Sequence, residues 1–146
     1  MNLFSKLIRR PRPMMLLEAQ EQPPVRNPSE NEVRTLVLSL RVGAISFASI
    51  TDETGDYVQV AGSRPWCVIE RRSLRPVRHE RAFQETPTAK YKDGAKLRTG
   101  AGEISLQHDE WFLLKDAAEV FVAFLKRDAF PGHVRWRPMN ESFGLN

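Results

Sequence analysis

Two stretches of this chain carry an apolar stripe with the period of a helix, and the sequence between them carries the period of strands. Val33, Leu36, Val37 and Leu40 recur at i, i+3, i+4, i+7, and Ala117, Val120, Phe121, Phe124 and Leu125 recur at i, i+3, i+4, i+7, i+8. Ser29 followed by Glu32 has the spacing of a capping box, which predicts a first helix running towards Gly43. Asp116 and Glu119 near the start of the second stripe, with Lys126 and Arg127 at its end, suit a helix dipole. Pro131-Gly132 then stops the chain.

Between the stripes the pattern shortens. Ile45, Phe47 and Ile50 precede the acidic turn Asp52-Glu53-Thr54-Gly55-Asp56, and Tyr57 to Ala61 follow it, which predicts a hairpin. Trp66 to Glu70 reads as a short central strand, Val77 to Gln84 as a strand with basic alternate positions, and Ala95–Arg98 with Glu103–Leu106 as later strands. Val134, Trp136 and Pro138 suggest a last strand at a sheet edge. Strands flanked by helices define an α+β domain: a largely antiparallel sheet of about five to seven strands, two helices packed on one face and the other face left available.

The chain has 146 residues, 41% of them hydrophobic, which suffices for one core and excludes a multidomain enzyme. No apolar run approaches the roughly 20 residues of a membrane span. The formal charge of +4 is unevenly placed. Residues 1–26 hold five basic and two acidic side chains, or +3, and the rest hold 17 basic and 16 acidic, or +1. Residues 1–26 are therefore expected to be a flexible basic, Pro-containing leader, and 27–146 a single domain. The apolar stretch Met14 to Leu17 falls short of the about 7 to 15 residues of a secretory signal. The lone Cys67 cannot form an internal disulfide, so the cytoplasm is the expected compartment.

Candidate chemistry is sparse. His79, His108 and His133 pair with no Cys or His at ligand spacing, which predicts no metal site. The Gly100-Ala101-Gly102 run matches no phosphate or dinucleotide fingerprint and reads as a turn, so no cofactor is expected. Cys67 sits between Trp66 and Val68 in an apolar strand, where a buried inert thiol is the expected state. Asp109 and Glu110 are adjacent, so their side chains are expected to diverge rather than form a catalytic carboxylate pair. The chain is accordingly read as a non-enzyme.

Two surfaces remain as binding candidates. Asp52, Glu53 and Asp56 in the hairpin turn, with Asp109, Glu110 and Trp111 before the second helix, have the chemistry to anchor a basic protein partner. Arg64, Arg71, Arg72, Arg75 and Arg78, beside Trp66, form the alternative, a nucleic-acid contact, although Glu70, Glu80 and Glu85 lie among them. A small enzyme drawing on Cys67, His79 or His108 is the other alternative.

The sequence Asp116-Ala117-Ala118-Glu119, then Phe124-Leu125, Phe130-Pro131 and Val134-Arg135-Trp136, resembles the end of the first-numbered immunity family of bacterial polymorphic toxin systems. There an amphipathic helix is followed by a Pro turn and a short strand ending in Trp. Tyr57-Val58-Gln59-Val60 is similar to that family's middle. The resemblance implies a small cytoplasmic α+β protein that binds a cognate secreted toxin, often a nucleic-acid deaminase, and blocks its active site without chemistry of its own.

Overall fold

A computed structural model of the protein describes residues 14–41 and 43–139. The strands are β1 (Met15–Ala19), β2 (Val25–Arg26), β3 (Phe47–Asp52), β4 (Tyr57–Ser63), β5 (Trp66–Leu74), β6 (Val77–Phe83), β7 (Lys96–Thr99), β8 (Gly102–Ser105), β9 (Phe112–Leu113) and β10 (Arg135–Pro138). Helix α1 (Glu30–Leu38) follows β2, and α2 (Leu114–Lys126) follows β9. The fold is α+β. The main sheet runs β10-β6-β5-β4-β3-β1-β2 with every neighbouring pair antiparallel, and β9 adds a short pairing to the start of β5.

The helices form where local chemistry satisfies their ends. Ser29 Oγ accepts the Glu32 N–H at 3.1 Å, and Glu32 Oε1 accepts the Ser29 N–H at 2.9 Å, completing the expected capping box. At α2 the N-cap is Leu113, which has no side-chain acceptor; Asp116 Oδ2 accepts its N–H at 3.1 Å instead. Glu119, expected to serve the first turn, instead pairs with Arg34 of α1. Arg127 ends α2 in the left-handed region, at φ 58°.

Period-two alternation then sorts the strands. Leu17, Ala48, Ile50, Val58, Val60, Cys67, Ile69 and Ala82 point to one face and form a single core with Val33 and Val37 of α1 and Ala117, Val120 and Phe121 of α2. Both helices thus cover one face of the sheet. The opposite face carries a smaller cluster, in which Val68, Leu97, Leu106 and Trp111 are buried against Trp66, Ala61 and Ile104.

Two expectations are corrected here. Residues 15–26, assigned from sequence to a flexible leader, form β1 and β2, and Leu17 is 2% exposed. Strand β1 lies inside the sheet between β3 and β2, so these residues belong to the folded body. The earlier basic residues Lys6, Arg9, Arg10 and Arg12 lie outside the described residues. Nor is the face opposite the helices simply open: the β7–β8 hairpin and the segment ending at Trp111 cover part of it. No helix among the described residues is long and apolar enough to cross a membrane.

Candidate functional site

The acidic hairpin turn is largely committed to the fold. Asp52 Oδ1 accepts the Thr54 N–H at 2.8 Å and its hydroxyl at 2.6 Å, a local bond that shapes the turn. Asp56 Oδ1 accepts the Leu74 N–H at 2.9 Å and ties this turn to the tip of the β5–β6 hairpin. Glu53 takes a 2.7 Å bond from Arg127 at the end of α2. These carboxylates fasten the hairpin to its neighbours.

The stretch from Asp109 to Trp111 is also internal. Glu110 and Trp111 are each 2% exposed, which removes them from any partner-facing surface in this conformation. Nor do Asp109 and Glu110 diverge: Arg137 Nη1 donates to Asp109 Oδ1 and to Glu110 Oε2, both at 3.1 Å, and Nη2 donates to Asp109 Oδ2 at 2.8 Å. A strand-edge arginine draws the two carboxylates together. This bonding holds the Asp109 carboxyl below the usual carboxylate range. The same network continues through Glu110 to Arg81 and from Arg81 to Glu70.

The Arg-rich segment is split between the two faces of β5 and β6. Arg71 Nε donates to Glu80 Oε1 at 2.9 Å, and its guanidinium lies 4.4 Å from the centroid of the Trp136 ring. Arg64 donates to the Leu38 carbonyl at 2.6 Å. Arg72 stands opposite His79 in the register, and Arg75 lies in the turn before β6, where Arg78 follows on the strand. Two of the five arginines are therefore occupied by the protein itself, and Arg71, Arg72 and Arg78 line one concavity together with the acidic Asp56 and Glu80.

Cys67 is fully buried in the main core, and burial pushes its thiol well above the ordinary range, with the Asp116 charge adding to the effect. His108 shares a 2.8 Å contact with Asp93, which raises the imidazole and lowers the carboxyl, and both are exposed. His133 contacts Asp116 at 3.1 Å. Among the described residues no three His, Cys, Asp or Glu side chains converge in a way that could hold a metal ion.

The feature that sequence reasoning missed is a pocket of about 360 Å³ on the face opposite the helices. Gln59 with Glu70, and Ala61 with Val68, are directly opposed across β4 and β5, so the antiparallel register sets four side chains into one floor. Ile104 and the Gly100-Ala101 turn wall one side, and Gln20, Ser46 and Phe47 the other. The walls are joined by hydrogen bonds: Gly100 N–H donates to Ser46 Oγ at 2.8 Å, and Ser46 N–H and Oγ donate to Gln20 Oε1 at 3.1 and 3.0 Å. A Cβ on Gly100 would stand 2.6 Å from Ser46 Oγ, so any other residue there would push on the Ser46 and Gln20 side chains.

The charged residue lining the pocket is Glu70, 6% exposed. Its Oε1 accepts from Gln59 Nε2 at 2.7 Å and its Oε2 from Arg81 Nε at 2.9 Å. Ala61, Val68, Ile104 and Phe47 supply its apolar lining, and Phe47 is 40% exposed. In sequence Gln59 is an ordinary strand residue and Glu70 one acid among arginines; only the pairing register brings them together. No family model matches the chain, and no characterised protein matches it.

Proposed function

We propose that this chain is a non-catalytic binding protein, an immunity-type inhibitor that engages a cognate bacterial toxin, with a nucleic-acid deaminase as the toxin class that its resemblance implies. The observation that carries the reading is the pocket. It is bounded by hydrogen bonds among three segments, is lined by apolar side chains and one carboxylate, and offers recognition chemistry without a nucleophile and base in mutual contact. Cys67, the strongest nucleophile by type, is sealed in the opposite core.

The residues that carry the resemblance also act as one unit. Val58, Val60, Ala117, Ala118 and Val134 share the main core, and Phe130 packs on Trp136 with ring centroids 5.2 Å apart. An inhibitor of this kind meets its toxin in the cytoplasm and works by occupying it. Co-expression with the toxin encoded beside this chain tests the reading: growth should be rescued and the two proteins should co-purify. A chain that neither protects nor binds overturns it.

A further inference from the structure

We propose that the sheet end carrying the β5–β6 turn rests on an anionic lipid surface, with Leu74 and Val77 entering the headgroup region and neighbouring arginines meeting the lipid charges. This contact stands apart from the inhibitor reading. The strand directions build it. Met15 pairs with Asp52, Tyr57 with Arg72 and Leu74 with Val77, so the start of β1, the β3–β4 turn and the β5–β6 turn come to one end of the sheet. Asp56 Oδ1 accepts the Leu74 N–H at 2.9 Å and ties the two turns together. From β1 to β6 this end spans four strand spacings, roughly 19 Å.

Exposed aliphatic side chains collect there. Val77 is 69% exposed, Leu74 38%, and Met14, the residue before β1, 40%; these are three of the six exposed large hydrophobic side chains among the described residues. Cations stand beside them. Arg26, Arg75 and Arg78 are exposed, and none makes a side-chain hydrogen bond or ion pair with another described residue. The nearby carboxylates are already engaged: Asp52 and Glu53 face Arg127, and Glu80 takes the Arg71 bond. Arg78 shares a concavity with Asp56 and Glu80 and pairs with neither.

The sequence that runs into Met14 has the same chemistry. Leu3-Phe4 and Leu7-Ile8 alternate with Ser5-Lys6 and Arg9-Arg10, Arg12 follows, and residues 1–13 hold no acidic side chain. Apolar pairs set among basic ones are the composition of interfacial segments, and stable attachment to a bilayer takes two such signals. Nucleic acid would answer the arginines but gain nothing from Leu74 and Val77, which have no ring to stack on a base. An acidic protein would likewise answer the charges alone. A lipid interface takes aliphatic and cationic groups side by side across the whole width of this end.

The full chain is mixed with vesicles of phosphatidylcholine alone, or of phosphatidylcholine with phosphatidylglycerol, and the bound fraction is read by sedimentation. Partitioning should be stronger by about tenfold or more on the anionic vesicles at low salt, and should fall as salt screens the contact. Leu74→Ser with Val77→Ser should weaken it by about tenfold, as expected for withdrawing two partly inserted side chains, with the melting temperature close to that of the parent. Arg75→Ala with Arg78→Ala should weaken it by about tenfold or more. An environment-sensitive dye on Val77→Cys, attached while Cys67 stays buried, should brighten on the anionic vesicles.

No binding to the anionic vesicles, or equal binding to phosphatidylcholine alone, overturns the proposal. Binding that is unchanged in the serine pair, with no response from the dye, also overturns it and leaves residues 1–13 as the whole contact. If the serine pair lowers the melting temperature, the dye on the otherwise parental chain decides, and a silent dye overturns the insertion. Binding of polyglutamate or duplex DNA as tightly as of the anionic vesicles at the same salt, unaffected by the serine pair, assigns the cations to an acidic macromolecule and overturns the lipid contact.

Discussion

Arg81 reaches Glu70 Oε2 through both Nε and Nη2 at 2.9 Å, and through Nη1 it also reaches Glu110 Oε1 at 3.4 Å and the Ser105 carbonyl at 3.3 Å. One guanidinium thus links β5, β8 and the loop before β9. Removing one partner of a buried ion pair strands the other charge, a loss of about 3–5 kcal/mol. Arg81→Met should lower the unfolding free energy measured in urea by that amount and loosen the β7–β8 hairpin; a variant within about 0.5 kcal/mol of the parent would mean that the bridge is structurally idle.

Leu17 is buried in the main core, on a strand whose partners across the register are residues 48–52 of β3. Leu17→Ala should cost about 2–5 kcal/mol, the range for a truncated core leucine. A flexible leader predicts almost no change. Chemical denaturation of the two proteins separates the outcomes.

What was legible in the sequence follows the range of the interactions. Helices α1 and α2 were readable because their stripes and the Ser29–Glu32 cap are made by residues three or four apart. The β3–β4 hairpin was readable from its acidic turn. Strand β1 was not: its apolar run is short, and it becomes a strand by pairing with β3, about thirty or more residues away. The pocket was hidden for the same reason. Gln59 meets Glu70 through the strand register, and Gly100 meets Ser46 through a contact between distant loops. Asp109 and Glu110 failed to diverge because Arg137, 28 and 27 residues further along the chain, holds both.

Gly62 has φ +150°, and a Cβ there would stand 2.6 Å from the Trp66 carbonyl oxygen and 2.7 Å from Cys67 Cα. These are backbone atoms of the neighbouring strand and cannot yield without shifting the β4–β5 pairing. Gly62→Ala should destabilise by about 2 kcal/mol or more, combining backbone strain with the clash. Gly94, at φ +90° with nothing within 4 Å of its would-be Cβ, is the control; Gly94→Ala should cost about 1 kcal/mol. Thermal unfolding of the pair tests the ordering.

The Arg137 hydrogen bonds hold the Asp109 carboxyl below its ordinary value. A carboxyl whose folded pKa is depressed contributes stability that is fully present above its unfolded pKa, near 3.9, and is lost as pH falls through the folded value. Asp109→Asn should therefore lower the melting temperature at neutral pH. Below about pH 3.9 the gap between variant and parent should narrow. A gap independent of pH would show that the bond contributes through shape alone.

Cys67 lies in the core between the sheet and α2, with its thiol pushed up chiefly by burial. Thiolate is the reactive form, so the folded protein offers an alkylating reagent neither access nor the reactive species. Iodoacetamide at mildly alkaline pH should leave the native chain unmodified and label it promptly in guanidinium chloride. Under native conditions, labelling should track global opening of the core, and destabilising the protein by Leu17→Ala should raise the rate in proportion to the unfolded population. Rapid labelling of the native chain, at a rate unaffected by Leu17→Ala, would place the thiol at a reactive surface and revive a catalytic reading for it.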